Sequence, residues 1–220
     1  MKIAIAGTGK VGCSIASELA DNGHQILVID RDPSAFAELP AGIDHIIGDA
    51  CELSVLERAD VQSCQVVVAA TGDDKANLVV SLLAKTEFGV PRVVARVNHP
   101  DNEWMFNEGW GVDVSVSTPR ILSALVEEAV SVGDVVRLFG LRSGNANLVE
   151  LTLPEDSPVA THTVGSIAWP VDCVLVTIVR GQRSISPSAD DTIEAGDELL
   201  MVCSPDSESA LQELLSPHRH

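Results

Sequence analysis

The segment Gly7-Thr8-Gly9-Lys10-Val11-Gly12 constrains this chain more than any other. It follows a short apolar run, Lys2 to Ala6, and opens a helical pattern, Lys10 to Asp21. A G-x-G-x-x-G motif at a strand-to-helix turn places three glycines where the backbone needs them. Gly7 permits the tight turn, Gly9 lets a phosphate approach the main chain, and Gly12 lets the helix pack on the strand. The helix N-terminus then favours an anion, so Gly7, Thr8, Gly9, Lys10, Val11 and Gly12 form a candidate phosphate cradle. A purely structural turn is the competing reading.

Asp30 strengthens the nucleotide reading. It ends the next strand pattern, Gln25 to Asp30, 18 residues after Gly12. A carboxylate there accepts hydrogen bonds from ribose hydroxyls and repels a 2′-phosphate. This favours NAD or another adenine nucleotide over NADP, while the cation of Arg31 softens the exclusion. Asp30 could instead cap a helix before Pro33.

Further strand and helix patterns alternate through the first half. Strands are expected at Asp44–Gly48, Gln65–Ala70, Arg92–Val97 and Val112–Ser117. Helices are expected at Cys51–Ala59, Asp74–Phe88 and Pro100–Glu108. This alternation predicts βαβ units and a six-stranded, doubly wound, Rossmann-like parallel sheet.

The carboxyl ends of those strands carry the other candidates. Asp49 and Ala50 lie where an adenine ring would sit, though Asp49 with Glu52 also reads as a capping box. Thr71 and Gly72 follow the fourth strand, and Thr71 could equally be a cap. Arg96 ends the fifth strand and would meet a phosphate or pair with an acid.

The pattern changes at Thr118-Pro119, a helix start signal. Ile121, Leu122, Leu125, Val126 and Ala129 form an apolar stripe on a helix ending near Gly133. Such a stripe needs burial, against its own chain or a second copy. Strands then dominate, at Val135–Leu141, Leu148–Leu153, Cys173–Val179 and Glu198–Cys203, before a last helix at Asp206–Leu215. The expected organisation is a nucleotide-binding domain over 1–117, a linker helix over 118–133 and a small α+β domain over 134–220.

Composition excludes several classes. The 14 Lys and Arg face 32 Asp and Glu, a net charge of −18 shared by both halves. A nucleic-acid backbone would be repelled, and no helix is basic enough to read DNA, which removes a DNA-binding redox sensor. No apolar run is long enough to span a bilayer, and the N-terminal apolar run is too short for a signal peptide. The expected location is the cytosol. Five cysteines without CxxC spacing fit reduced, mostly buried thiols, with Cys13 at a helix start the candidate for reactivity.

The ordered set of Gly7–Gly12, Asp30, Gly48-Asp49-Ala50, Ala70-Thr71-Gly72-Asp73-Asp74 with Asn77, and Ala95-Arg96-Val97 resembles the N-terminal domain of the TrkA type, also called KTN or RCK. Glu150, Ile178-Val179-Arg180-Gly181, Pro187 and Gly196-Asp197 resemble the C-terminal TrkA domain that follows it. Lys10 stands where many members carry Arg or Gln, and Cys51 where many carry Thr. The resemblance implies a regulatory subunit at the inner face of the membrane that docks on a potassium-uptake protein. It also implies a dimer or ring gated by NAD, NADH, ATP or ADP, with cyclic di-AMP a C-terminal ligand of some members.

An NAD-dependent oxidoreductase is the alternative. It needs an acid or base near the nicotinamide. His162 is the only histidine of the second part before the tail His218-Arg219-His220, which is expected to be disordered. His99 reads as a loop residue. The chain has no Tyr and no H-E-x-x-H, and Asp190, Asp191 and Glu194 read as an acidic loop rather than a cation site. No catalytic residue or metal is expected.

Overall fold

The structure, a computed structural model, describes residues 1–130, 132–141 and 145–216. Contacts divide the chain into two compact units, Met1–Pro119 and Arg120 onward.

The first unit is a six-stranded parallel sheet. Its strands are β1 (Lys2–Ala6), β2 (Gln25–Asp30), β3 (Asp44–Ile47), β4 (Val66–Ala69), β5 (Arg92–Val97) and β6 (Val114–Ser117), in the order β3-β2-β1-β4-β5-β6. The order reverses between β1 and β4, and that crevice at the carboxyl edge is where such sheets take ligands. Helices α1 (Lys10–Asp21), α2 (Leu53–Arg58) and α3 (Asp74–Thr86) flank it. Strand alternation sorts the apolar residues onto two faces. Ile3, Ile5, Val28 and Val68 pack with Ala16 of α1, while Ala4, Ala6, Val67, Ala69, Val93 and Ala95 pack with Leu56 of α2 and Leu78 of α3.

Several expected boundaries shift for local reasons. The expected helix over Pro100–Glu108 is two short 3-10 turns, Pro100–Met105 and Glu108–Trp110. Asn107 separates them because its side chain accepts Gly109 N–H at 2.9 Å and caps the second turn. Strand β6 starts at Val114, two residues late, because the Asp113 carboxylate is engaged by Lys85 and by Val93 N–H. Helix α3 stops at Thr86 rather than Phe88, and the chain leaves it through Gly89 at φ +62°.

The second unit is a five-stranded antiparallel sheet, in the order β10-β9-β11-β8-β7. Its strands are β7 (Val136–Leu141), β8 (Ala146–Thr152), β9 (Cys173–Arg180), β10 (Arg183–Ile185) and β11 (Glu198–Cys203). Helix α4 (Thr118–Val130) precedes it and α5 (Glu208–Leu215) follows it. Leu211 and Leu215 of α5 share a core with Val149, Leu151, Ile178, Leu199 and Met201. The edge strand β10 escapes sequence reading because it is three residues long and mostly polar. It is set by the hairpin turn at Gly181, φ +60°.

The buried Asp197 is paired with Arg180, whose Nε and Nη2 donate to it at 2.7 and 2.8 Å, and it also accepts Glu194 N–H. Arg180 also donates to Glu194, and Asp191 accepts from Ser188 N–H and Oγ. Protein donors therefore engage Glu194 and Asp191. Helix α4 is described over Thr118–Val130 and does not reach Gly133. Ile121, Leu122, Leu125 and Val126 of its stripe are exposed. The side chain of Ala129 and the tail His218-Arg219-His220 lie outside the described residues.

Candidate functional site

The turn after β1 is built around glycine. Gly7 has φ +104°, and a Cβ there would come within 2.9 Å of the Thr71 backbone. A Cβ on Gly12 would overlap the Gly7 carbonyl oxygen, so α1 can approach β1 only with glycine at that position. Gly9 differs. Its φ of −63° suits any residue, and a Cβ there would meet nothing within 4 Å. Neither fold nor packing demands glycine at Gly9. Open space beside an uncapped helix start with no acid in its first turn suits a bound anion.

Asp30 is fixed against this turn. One carboxylate oxygen accepts Thr8 N–H at 2.7 Å and the other accepts Asp32 N–H at 2.9 Å. Burial opposes its ionisation, but these hydrogen bonds prevail and hold the carboxyl below the usual range. The capping role weighed for Asp30 belongs to Asp32, which accepts Ser34 N–H and starts the turn at Pro33.

A cavity of about 720 Å³ opens beside these groups, large enough for a nucleotide. Gly7, Gly9, Asp30, Arg31, Asp49, Ala50, Thr71 and Gly72 line it. Asp49 accepts Cys51 N–H at 2.9 Å and so shapes the turn before α2. It does not cap the helix: the N-cap position is Glu52, whose side chain makes no capping bond, so the capping box is not formed. Thr71 is likewise not the cap of α3. That role is taken by Asp73, which accepts Lys75 N–H at 2.8 Å.

Thr8, Lys10, Val11, Gly12 and Arg96 do not line this cavity. Lys10 is exposed on the first turn of α1. Arg96 follows the alternation of β5: Val93, Ala95 and Val97 join the core under α2 and α3, whereas Val94 packs in the α1 cluster. Arg96 therefore shares the α1 face. Its buried Nε and the buried Thr8 Oγ1 have no hydrogen-bond partner among the described residues. Of the two roles weighed for Arg96, meeting a phosphate or pairing with an acid, no acid bonds its Nε among the described residues.

Sequence reasoning missed Lys75, which lines the cavity from the first turn of α3, and Asp32; Asp73, quoted in the motif after the fourth strand, lines it too. The signal was available, because the start of α3 lies at the same sheet edge as Gly7. It also missed the role of Asp74, which accepts from Asn98 N–H and Nδ2, His99 N–H and Asn102 Nδ2. The fully buried Asn77 accepts Thr71 N–H and Oγ1 and donates to Thr71 and Arg96 carbonyls. These two side chains tie the loops after β4 and β5 together.

Cys13 is not activated by its helix start. Burial, then Glu38 and Asp30, push its thiol up, and it donates to the Thr8 carbonyl. No group of three or more His, Cys, Asp or Glu able to hold a metal occurs among the described residues.

Residues 3–118 match the TrkA-N domain and residues 148–216 match the TrkA-C domain. The chain belongs to the TrkA family. It is 56% identical over 218 residues to the Trk system potassium uptake protein TrkA of Mycobacterium tuberculosis, covering 99% of both chains. It is 28% identical over 209 residues to the TrkA homolog of Methanothermobacter thermautotrophicus, covering 94% of this chain and 95% of that one. In fold this TrkA-family chain matches the GsuK channel bound to NAD at a TM-score of 0.71 and 18% identity. The match covers 98% of this chain and 39% of the channel chain. Among the described residues no helix is long and apolar enough to cross a membrane.

Proposed function

We propose that this chain is a nucleotide-sensing regulatory subunit of a membrane potassium-uptake system. The observation that carries the nucleotide reading is the coupling of Asp30 to the glycine turn beside a nucleotide-sized cavity. Potassium uptake comes from the names of its TrkA relatives.

In this reading an adenine nucleotide places its ribose at Asp30, with Arg31 beside it, and its base between Asp49-Ala50 and the start of α3. Its phosphates meet the turn from Gly7 through Thr8, Gly9, Lys10 and Val11 to Gly12. Thr71 and Gly72 close the opposite wall. Orphaned Thr8 Oγ1 and Arg96 Nε supply further polar groups on the α1 side. NAD or NADH is favoured, with ATP or ADP as alternatives. The bound group supplies charge and shape, and no catalytic step is assigned to the chain.

A ligand shifts a conformational equilibrium only by its differential affinity for the two states. The exposed stripe of α4 suits a second copy of the chain, as a dimer or higher ring that would carry the shift to the transporter. The domains read as 1–117 nucleotide-binding, 118–133 linker and 134–220 regulatory. The subunit would work in the cytoplasm at the inner membrane face.

The test is genetic and biochemical. Deleting the gene should impair growth at low potassium, and an Asp30→Ala version should fail to restore regulation. Nucleotide should co-purify with the native protein. Normal potassium uptake in the deletion strain, or steady NADH turnover by pure protein, would favour the oxidoreductase instead.

A further inference from the structure

The second unit contains a facing pair of thiols that the nucleotide reading does not use. Cys173 begins β9 and Cys203 ends β11, and the antiparallel register sets them directly opposite each other. Directly opposed residues of an antiparallel pair have Cα atoms about 4.5–5.5 Å apart, within the span a disulfide needs. Their side chains share the inner face: Cys203 is fully buried in the core and half-buried Cys173 packs against it. Each thiol lies close enough to the other to shift its titration. By contrast Cys13, Cys51 and Cys64 lie in the first unit, on α1, before α2 and before β4, with no cross-strand cysteine partner.

We propose that Cys173 and Cys203 form a peroxide-sensitive dithiol that closes into a cross-strand disulfide. Cys173, the half-exposed member, reacts first. Its thiolate attacks one peroxide oxygen, the O–O bond breaks, hydroxide leaves and a sulfenic acid forms. The Cys203 thiolate then attacks the Cys173 sulfur, the S–S bond forms and hydroxide leaves. In sum two thiols and one hydrogen peroxide give a disulfide and two waters, with the sulfurs oxidised and the peroxide reduced. The product covalently fastens β9 to β11 at the end next to Asp172 and Ser204.

The surroundings make this a slow sensor. Burial raises both thiols, Cys203 to about 12. At Cys173 the facing Cys203 thiol opposes the rise while Asp172 and Glu208 add to it; at Cys203 the Cys173 thiol and Glu208 add to it and Arg137 opposes it. The thiolate fraction, and with it the closing rate, should climb about ten-fold per pH unit near neutrality.

The test treats the reduced full chain with hydrogen peroxide, blocks remaining thiols with iodoacetamide in denaturant, and maps peptides by mass. The expected result is a Cys173–Cys203 linked peptide, reversible by dithiothreitol, leaving three of the five thiols alkylated. Cys173→Ser should abolish the link and leave Cys203 a thiol. Cys203→Ala should trap Cys173 as a sulfenic acid, read with dimedone on protein whose melting transition shows it folded. Five alkylated thiols after treatment, links scattered over Cys13, Cys51 and Cys64, or a closing rate flat in pH would each overturn the proposal.

Discussion

The Asp30 carboxylate accepts the Thr8 amide at 2.7 Å, joining the end of β2 to the glycine turn after β1. The group expected to read a ribose therefore also shapes the phosphate cradle. Replacing Asp30 by Ala should weaken NAD binding roughly 10- to 100-fold, from the loss of charge-assisted hydrogen bonds. The same change should narrow the preference for NAD over NADP. Titration calorimetry of both ligands checks this, and equal affinities in the wild type would remove the ribose assignment.

Gly9→Val separates ligand from fold. The backbone at φ −63° accepts valine and the space is open, so the melting temperature should stay within about 2 °C of wild type. Nucleotide affinity should be lost because the branched side chain occupies the phosphate's approach. Unchanged affinity in a calorimetric titration would show that the phosphates lie elsewhere.

Asp74 is the structural counterpart. It is 7% exposed and accepts four hydrogen bonds from the segment after β5. Asp74→Ala strands those donors and should cost about 2–4 kcal/mol in urea unfolding.

Acid should reveal Asp30 and Asp74. For each, burial opposes ionisation, but the donors prevail and lower the folded value: Asp32, Thr8 and Arg31 for Asp30, and Asn102, Asn98 and His99 for Asp74. A carboxyl lowered in the folded state contributes stability above its unfolded value, about 3.9, and loses it as pH falls through the folded value. Stability should therefore decline from about pH 5 downward, and Asp74→Asn should flatten part of that decline. A wild-type profile level from pH 5 to 2 in urea titrations, each about two hours after mixing, would contradict the assignment.

The α4 stripe predicts the oligomer. Leu122 and Leu125 are 62% and 51% exposed. A Leu122→Asp, Leu125→Asp double variant should turn a dimer or ring into a monomer by light scattering at micromolar concentration. A wild-type monomer under the same conditions would count against self-association.

The apolar-polar periods and the glycine spacing by themselves determined the parallel sheet, the turn at Gly7–Gly12 and the position of Asp30, because each is written in neighbouring residues. A strand's period of two and a helix's of 3.6 are local facts, and so is the steric freedom of Gly7 and Gly12. The tertiary structure alone decided what depends on long-range register. Which face of β5 packs with the α1 cluster was decided by the sheet's packing, and it leaves Arg96 out of the lining of the cavity that Asp49 and Thr71 share. Competing donors moved the caps from Asp30 and Thr71 to Asp32 and Asp73. Pairing of β9 with β11 brought Cys173 opposite Cys203, thirty residues away in the chain. No local propensity encodes such a meeting, because it follows from which strands the packed core makes neighbours.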